Sequence, residues 1–203
     1  APVINGTIQN PPVNTPTEYN LNAGDFVQWT ATADLAGGVI SADGPIGVYT
    51  GNQYLRVSTA DSNGGGQDSA HQQIQSVQAL GNKYVSPGIP SRLGPNMEES
   101  VLYRMVGVVD GTELTWDPAP PAGAPNSLDL GQVVEFESRE LFSVTSQDVD
   151  HPFSFSQYMS GVLNSPDGGC LQTGLNPCQL GDEEWVNLVA PAQFLNNYVF
   201  FVD

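Results

Sequence analysis

The chain has 203 residues, with five Lys and Arg against 22 Asp and Glu, a formal net charge of −17 at pH 7, and 22 Gly and 16 Pro. Five scattered cations supply no basic footprint for nucleic acid and no attraction to an anionic membrane surface; no apolar run reaches the roughly 18–20 residues that span a bilayer. Charged residues make up only 13% and hydrophobic ones 39%, which fits a folded chain rather than a disordered one.

Apolar and polar residues alternate with a period of two through most of the chain. Residues 25–32 (DFVQWTAT) form the first predicted strand. Residues 38–41 and 46–50 are two more, split by Ala42-Asp43-Gly44-Pro45, where Gly tolerates positive φ and Pro fixes its own. Residues 102–109 (LYRMVGVV) and 112–116 (TELTW) flank Asp110-Gly111, the local signature of a two-residue hairpin. Strands are also predicted at 133–136, 141–145, 153–158 and 197–202, with short helical turns at 69–74 and 96–100. Residues 58–68 are a polar loop with three consecutive glycines. Residues 86–96 carry three prolines, and residues 117–126 carry four, which bars a central strand because proline donates nothing to a ladder. The fold class is all-β.

The chain also repeats itself. Leu21-Asn22-Ala23-Gly24-Asp25-Phe26-Val27-Gln28-Trp29 matches Leu128-Asp129-Leu130-Gly131-Gln132-Val133-Val134-Glu135-Phe136, an offset of 107 at the glycines. Val39-Ile40-Ser41-Ala42-Asp43-Gly44-Pro45-Ile46 resembles the stretch from Phe142 through Phe153. Asn52-Gln53-Tyr54 answers to Ser156-Gln157-Tyr158, an offset of 104, and Asn82-Lys83-Tyr84-Val85 to Asn196-Asn197-Tyr198-Val199, an offset of 114. The drift falls in loops, where insertions are tolerated. The expectation is two homologous modules, residues 1–95 and 96–203, each an antiparallel Ig-like β-sandwich; a propeller-like or toroidal β-repeat is the alternative. Trp29 and Phe136 are the expected core anchors, with Trp116 and Trp185 in the core or between modules.

Candidate chemistry is sparse. Cys170 and Cys178 share one turn-rich loop, GGCLQTGLNPCQLGD, and suit a local disulfide in an oxidising compartment. The first residues contain no basic, apolar leader, so secretion calls for a signal outside this segment. Asp61, Asn63 and Asp68 place oxygen ligands around a glycine wrap and form a weak calcium candidate, the one cofactor the sequence suggests. The loop departs from the EF-hand pattern at Gly65 and lacks a bidentate Glu at the right distance. His71 and His151 are the only histidines, and no G-x-S-x-G elbow occurs. Asp182-Glu183-Glu184 before Trp185 is the densest acidic cluster, but acidic loops are mostly solvated faces. The chain reads as non-enzymatic, with no catalytic residue assigned.

Two segments carry a family resemblance. His71-Gln72-Gln73-Ile74-Gln75-Ser76-Val77-Gln78-Ala79-Leu80-Gly81-Asn82-Lys83-Tyr84-Val85 resembles a recurrent P-V-S-A-L-G-x-x-Y element of the IgG Fc-binding protein N-terminal region. Gly37-Gly38-Val39-Ile40-Ser41-Ala42-Asp43-Gly44-Pro45-Ile46-Gly47-Val48-Tyr49-Thr50-Gly51 looks like that family's G-x-x-I-x-S-D-x-P-I-x-V element. Weaker echoes follow around residues 192–198, so the resemblance covers most of residues 23–203. It implies an extracellular binding or scaffold module, as found in mucus-associated animal proteins and bacterial surface or secreted proteins. It brings no defined antibody-contact residue with it. The implied setting is a surface, adhesin or matrix protein whose partners are proteins, glycans or neighbouring copies of the repeat. A carbohydrate-binding module using Trp185, Tyr54 or Tyr158 is one alternative. A filament subunit donating residues 1–9 or 198–202 is another.

Overall fold

A computed structural model describes residues 15–93, 96–163 and 182–199. The chain divides into two units, Ala1–Ala36 and Gly37–Asp203. Among its described residues the first unit has no strand, although residues 25–32 alternate, because no neighbouring strand completes a ladder there. Its fixed points are a turn and an aromatic pair. Asp25 N donates to Asn22 O at 3.0 Å, and Asn22 N donates to Asp25 Oδ2 at 2.8 Å. Gly24 sits inside this turn at φ 88°, a conformation that costs glycine little. Trp29 meets Tyr19 edge-on, with ring centroids 5.5 Å apart, and is half-buried.

The second unit is all-β. In chain order its strands are β1 (Tyr49–Leu55), β2 (Ser62–Gly65), β3 (Asp68–Gln73), β4 (Lys83–Val85), β5 (Val101–Gly107), β6 (Thr112–Asp117), β7 (Ser127–Leu128), β8 (Val133–Ser138), β9 (Ser143–Ser146), β10 (Phe153–Met159), β11 (Val162–Leu163) and β12 (Glu184–Asn187). Two 3-10 turns lie at Val77–Ala79 and Pro191–Gln193. Among the described residues every pairing is antiparallel. The sheets run β12-β10-β5-β8 and β4-β9-β6-β7, with two-stranded pairs β1-β3 and β11-β2, and none closes into a barrel.

The two four-stranded sheets face each other across one core. Alternation puts Val101, Tyr103 and Met105 of β5 inward, with Leu114 and Trp116 of β6, Phe153 and Phe155 of β10, Val144 of β9 and Tyr84 of β4. The filling is aromatic. Phe155 packs against the rings of Tyr84, Tyr103, Phe136, Phe142 and Phe153, at centroid separations of 5.6–6.5 Å. The polar ends are satisfied. Tyr84 OH donates to Phe153 O at 2.9 Å, Tyr103 OH and Ser86 Oγ lie 2.5 Å apart, and Trp116 Nε1 donates to Pro125 O at 2.9 Å.

Several sequence expectations change. Residues 38–41 form no strand, and of residues 46–50 only Tyr49 and Thr50 join β1. Asp110-Gly111 does turn the chain, with Gly111 at φ 67°, but β5 and β6 do not pair. β5 lies between β8 and β10, and β6 between β7 and β9, so the turn carries the chain from one sheet to the other. Its polar groups are held from outside the strands: Leu130 N donates to Asp110 Oδ1 at 2.9 Å, Gly111 N to Asp129 Oδ1 at 3.0 Å, and Gln147 Nε2 to Gly111 O at 2.8 Å. Residues 69–74 are not helical but belong largely to β3, whose ladder with β1 overrides local propensity. Residues 96–100 are irregular, and the short helical turns sit instead at 77–79 and 191–193.

The hydrogen-bond registers of two strand pairs are compatible with the offsets of the repeat. β1 pairs with β3 as Tyr49↔Gln73, Thr50↔Gln72, Gly51↔His71 and Asn52↔Ala70. β10 pairs with β12 as Ser156↔Asn187, Gln157↔Val186, Tyr158↔Trp185 and Met159↔Glu184. The two ladders together fix offsets that sum to 221, as do 107 at Gly24/Gly131 and 114 at Asn82/Asn196; that pair sets Gly51 against Tyr158, where the Gln53-Tyr54 match sets Tyr54. The turn at Gly131 (φ 77°) reproduces the one at Gly24: Gln132 N donates to Asp129 O at 3.0 Å, and Asp129 N to Gln132 Oε1 at 2.9 Å. Strand pairing also crosses residue 95, since β4 joins β9 and β2 joins β11.

Phe155→Ala removes the ring that touches five others and is expected to cost about 3–5 kcal/mol of unfolding free energy. Val149→Ala, at a site 77% exposed, is expected to stay within about 0.5 kcal/mol. Urea unfolding followed by tryptophan fluorescence checks both.

Candidate functional site

The polar loop ahead of β3 is anchored by charge. Asp61 accepts two hydrogen bonds from Arg139, Nη1 to Oδ2 at 2.6 Å and Nη2 to Oδ1 at 2.8 Å, and a third from Ser100 N at 2.7 Å. Arg139 Nη1 also donates to Glu98 O at 2.7 Å. Glu137 Oε2 accepts from Ala60 N at 2.9 Å and from Ser100 Oγ at 2.7 Å. Burial alone pushes the Asp61 carboxyl up; the Arg139 guanidinium and the Ser100 N–H outweigh it and hold the group below the usual carboxylate range. A second ion pair stands behind the first. Arg92 clasps the buried Glu99, its Nε lying 2.9 Å from Oε2, and its Nη2 donates to Ser160 O at 2.8 Å.

Beside these pairs lies an open cleft of about 440 Å³. Ile89, Val101, Tyr103 and Leu141 give it apolar walls, and the exposed Glu98 and Glu140 stand with Arg139 at its rim. An open cleft that combines apolar side chains with carboxylates fits a long cationic side chain, whose stem packs while its head stays wet and paired.

The outer face of the β12-β10-β5-β8 sheet presents a different surface. Tyr158 and Trp185 stack across the strands, with centroids 5.8 Å apart and planes 7° apart. Arg104 Nε lies 3.1 Å from Glu135 Oε1. Burial pushes the Tyr158 hydroxyl up, with Arg104 pulling the other way. Tyr158 is spent on the stack, Trp185 is half-buried and Tyr54 stands exposed on β1. Of the three aromatics named for sugar contact, Tyr158 and Trp185 thus pack on each other and Tyr54 lies in the separate β1-β3 sheet.

Of the calcium candidates, Asp61 is engaged by Arg139. Asn63 Oδ1 accepts from Gly65 N at 3.1 Å, and Asp68 Oδ1 accepts from Ser69 N at 2.6 Å. Among the described residues no group of three His, Cys, Asp or Glu side chains gathers as a metal would need. Cys170 and Cys178 lie outside the described residues. His71 is exposed on β3, while His151 Nδ1 lies 2.7 Å from Asp148 Oδ1, a hydrogen bond that holds the Asp148 carboxyl below its ordinary range.

Within the acidic run, Asp182 and Glu184 are exposed and Glu183 is buried. Neither Glu183 oxygen has a hydrogen-bond partner among the described residues, and a Cβ on Gly161 would press on Oε1. Burial, with Asp182 beside it, pushes this carboxyl above the usual range. The sequence marked the run but not which member is enclosed; the alternation into β12 is the one signal that separates them.

A family model described as IgGFc binding protein matches residues 1–203. The chain belongs to the IgGFc binding protein family. The resemblance read from residues 37–51 and 71–85 thus extends over the full length. No curated protein and no solved structure matches the chain. The family is of the binding type, and no helix among the described residues is long and apolar enough to cross a membrane.

Two outcomes test the charge network. Asp61→Asn is expected to lower the unfolding free energy by about 1–2 kcal/mol at pH 7, the charge-assisted bond being discounted for the exposed guanidinium. Because the folded Asp61 pKa lies below the unfolded 3.8, its stabilisation is present above that value and disappears as pH falls through the folded one. Melting curves of both proteins should converge there. Glu183 has the opposite sign. Its folded pKa lies above the unfolded 4.5, so ionisation on raising the pH destabilises the fold. Glu183→Gln should melt higher than wild type at pH 7, with the gap closing as pH falls to about 4.5.

Proposed function

We propose that the chain is a non-enzymatic extracellular module of a secreted or surface protein, acting by binding other proteins. The family match over residues 1–203 carries this reading. The acid-rimmed cleft supports a protein ligand over a glycan: its apolar walls and flanking Glu98 and Glu140 suit a Lys or Arg side chain on a partner, and the net charge of −17 favours approach of a basic surface. The family description makes the Fc portion of IgG the first probe. An adhesin or matrix setting is part of the same reading, since either would present the module to soluble and cell-bound proteins.

The experiment is biosensor binding of the full chain to immobilised IgG Fc, with lysozyme as a basic control and a glycan array in parallel. The expected result is saturable Fc binding that weakens between 50 and 300 mM salt, as screening shortens the reach of the carboxylates to about 6 Å. Glu98→Gln with Glu140→Gln is expected to weaken it about tenfold. No Fc binding together with specific glycan binding would replace this reading by the carbohydrate-binding one.

A further inference from the structure

β1 and β10 are the same strand of the repeat, yet their surroundings differ. β10 lies between β12 and β5; β1 pairs with β3, and among the described residues no strand lies along its other edge. The side chains β10 turns into the core are enclosed, Phe153 at 0% exposure and Phe155 at 1%, whereas Ile46, the counterpart of Phe153, is 53% exposed. Val144 of β9 is 0% exposed; its counterpart Val39, aligned through Ser41-Ala42-Asp43 and Ser146-Gln147-Asp148, is 74% exposed.

The same contrast recurs near the other end of the chain. Gly81 N donates to Tyr84 OH at 3.0 Å and, 114 residues on, Leu195 N donates to Tyr198 OH at 2.9 Å, so the local conformation is repeated. Tyr84 is 1% exposed in the core while Tyr198 is 63% exposed. Equal local structure with opposite burial means that the missing component is the neighbouring strands, and the complete sandwich in this chain shows which strands they are. That sandwich takes β4, β5 and β6 from the earlier part of the chain and β8, β9, β10 and β12 from the later part.

We infer that the open edge of β1 receives a strand of the β5 type, followed by one of the β6 type, from a further copy of the repeat. Successive copies then complete one another's sandwiches along an array. The register is fixed by the existing one, in which Phe153, Phe155, Gln157 and Tyr158 face Gly107, Met105, Tyr103 and Leu102. Ile46, Val48, Thr50 and Gly51 then face the counterparts of those four β5 residues. The incoming strand satisfies the free ladder groups of β1 and covers Val39 and Ile46. Tyr198 is the counterpart on the donating side, placed to enter the next core as Tyr84 enters this one. An intact second copy of this chain cannot supply the strand, because its own β5 already holds β8 and β10. The inference stands apart from the Fc reading, and loss of Fc binding leaves it untouched.

Amide hydrogen exchange on the full chain tests it, with a synthetic peptide of residues 100–117 as probe. The expected result is slowing of at least tenfold at residues 46–51, absent with a scrambled peptide and absent in Ile46→Asp. A second protein carries residues 80–128 duplicated ahead of residue 15 and removes any dependence on peptide solubility. In it, residues 46–51 are expected to be protected like residues 153–158. Protection in the duplicated protein supports the inference even where the peptide alone does not bind. Unchanged exchange at residues 46–51 in the duplicated protein overturns it.

Discussion

The structure depends on one aromatic layer held between two sheets. Tyr84, Tyr103, Trp116, Phe136, Phe142, Phe153 and Phe155 come from five strands and a loop, and each ring touches others in that set. These rings are the large members of the buried core, with Val101, Met105, Leu114, Leu128 and Val144 packed among them. The phenolic hydroxyls tie the layer to backbone at Phe153 and to Ser86, which leaves little room for the sheets to slide.

Around that layer the polar chemistry is local. Asp61 with Arg139, and Glu99 with Arg92, fasten loops to the sandwich. Removing one partner would leave a partly enclosed charge without its counter-ion. Most of the remaining acidic residues stay in solvent, where the net charge favours solubility and selects against anionic partners. Glu183 is the exception, a carboxyl enclosed without a described partner.

The sequence was most readable where local pattern and tertiary demand agree. The alternation in residues 102–109 and 112–116 became β5, which ends at Gly107, and β6, and the proline-rich residues 117–126 became a connection. The Asp110-Gly111 signal points to a hairpin but specifies only a reversal, because the sheet each strand enters is decided by β8, β9 and β10, farther along the chain. Residues 69–74 looked helical because Ala, Gln and His carry no β preference, and only the β1 ladder makes them a strand. The site was harder. Asp61 stood out as an oxygen donor, but its partner Arg139 is 78 residues away, and nothing near either residue announces the pair.

The ends of the β4-β9-β6-β7 sheet are short, β7 having two residues and β4 three. A border that brief offers foreign chains few ladder groups, which is how folded sheets resist runaway stacking. β1, with seven residues, lies in a segment where Val39, Ile40, Ile46, Tyr49 and Tyr54 are exposed. Aggregation during expression or storage should therefore start at that strand and spare the sandwich, and a Lys placed on its solvent side would slow precipitation without touching the core.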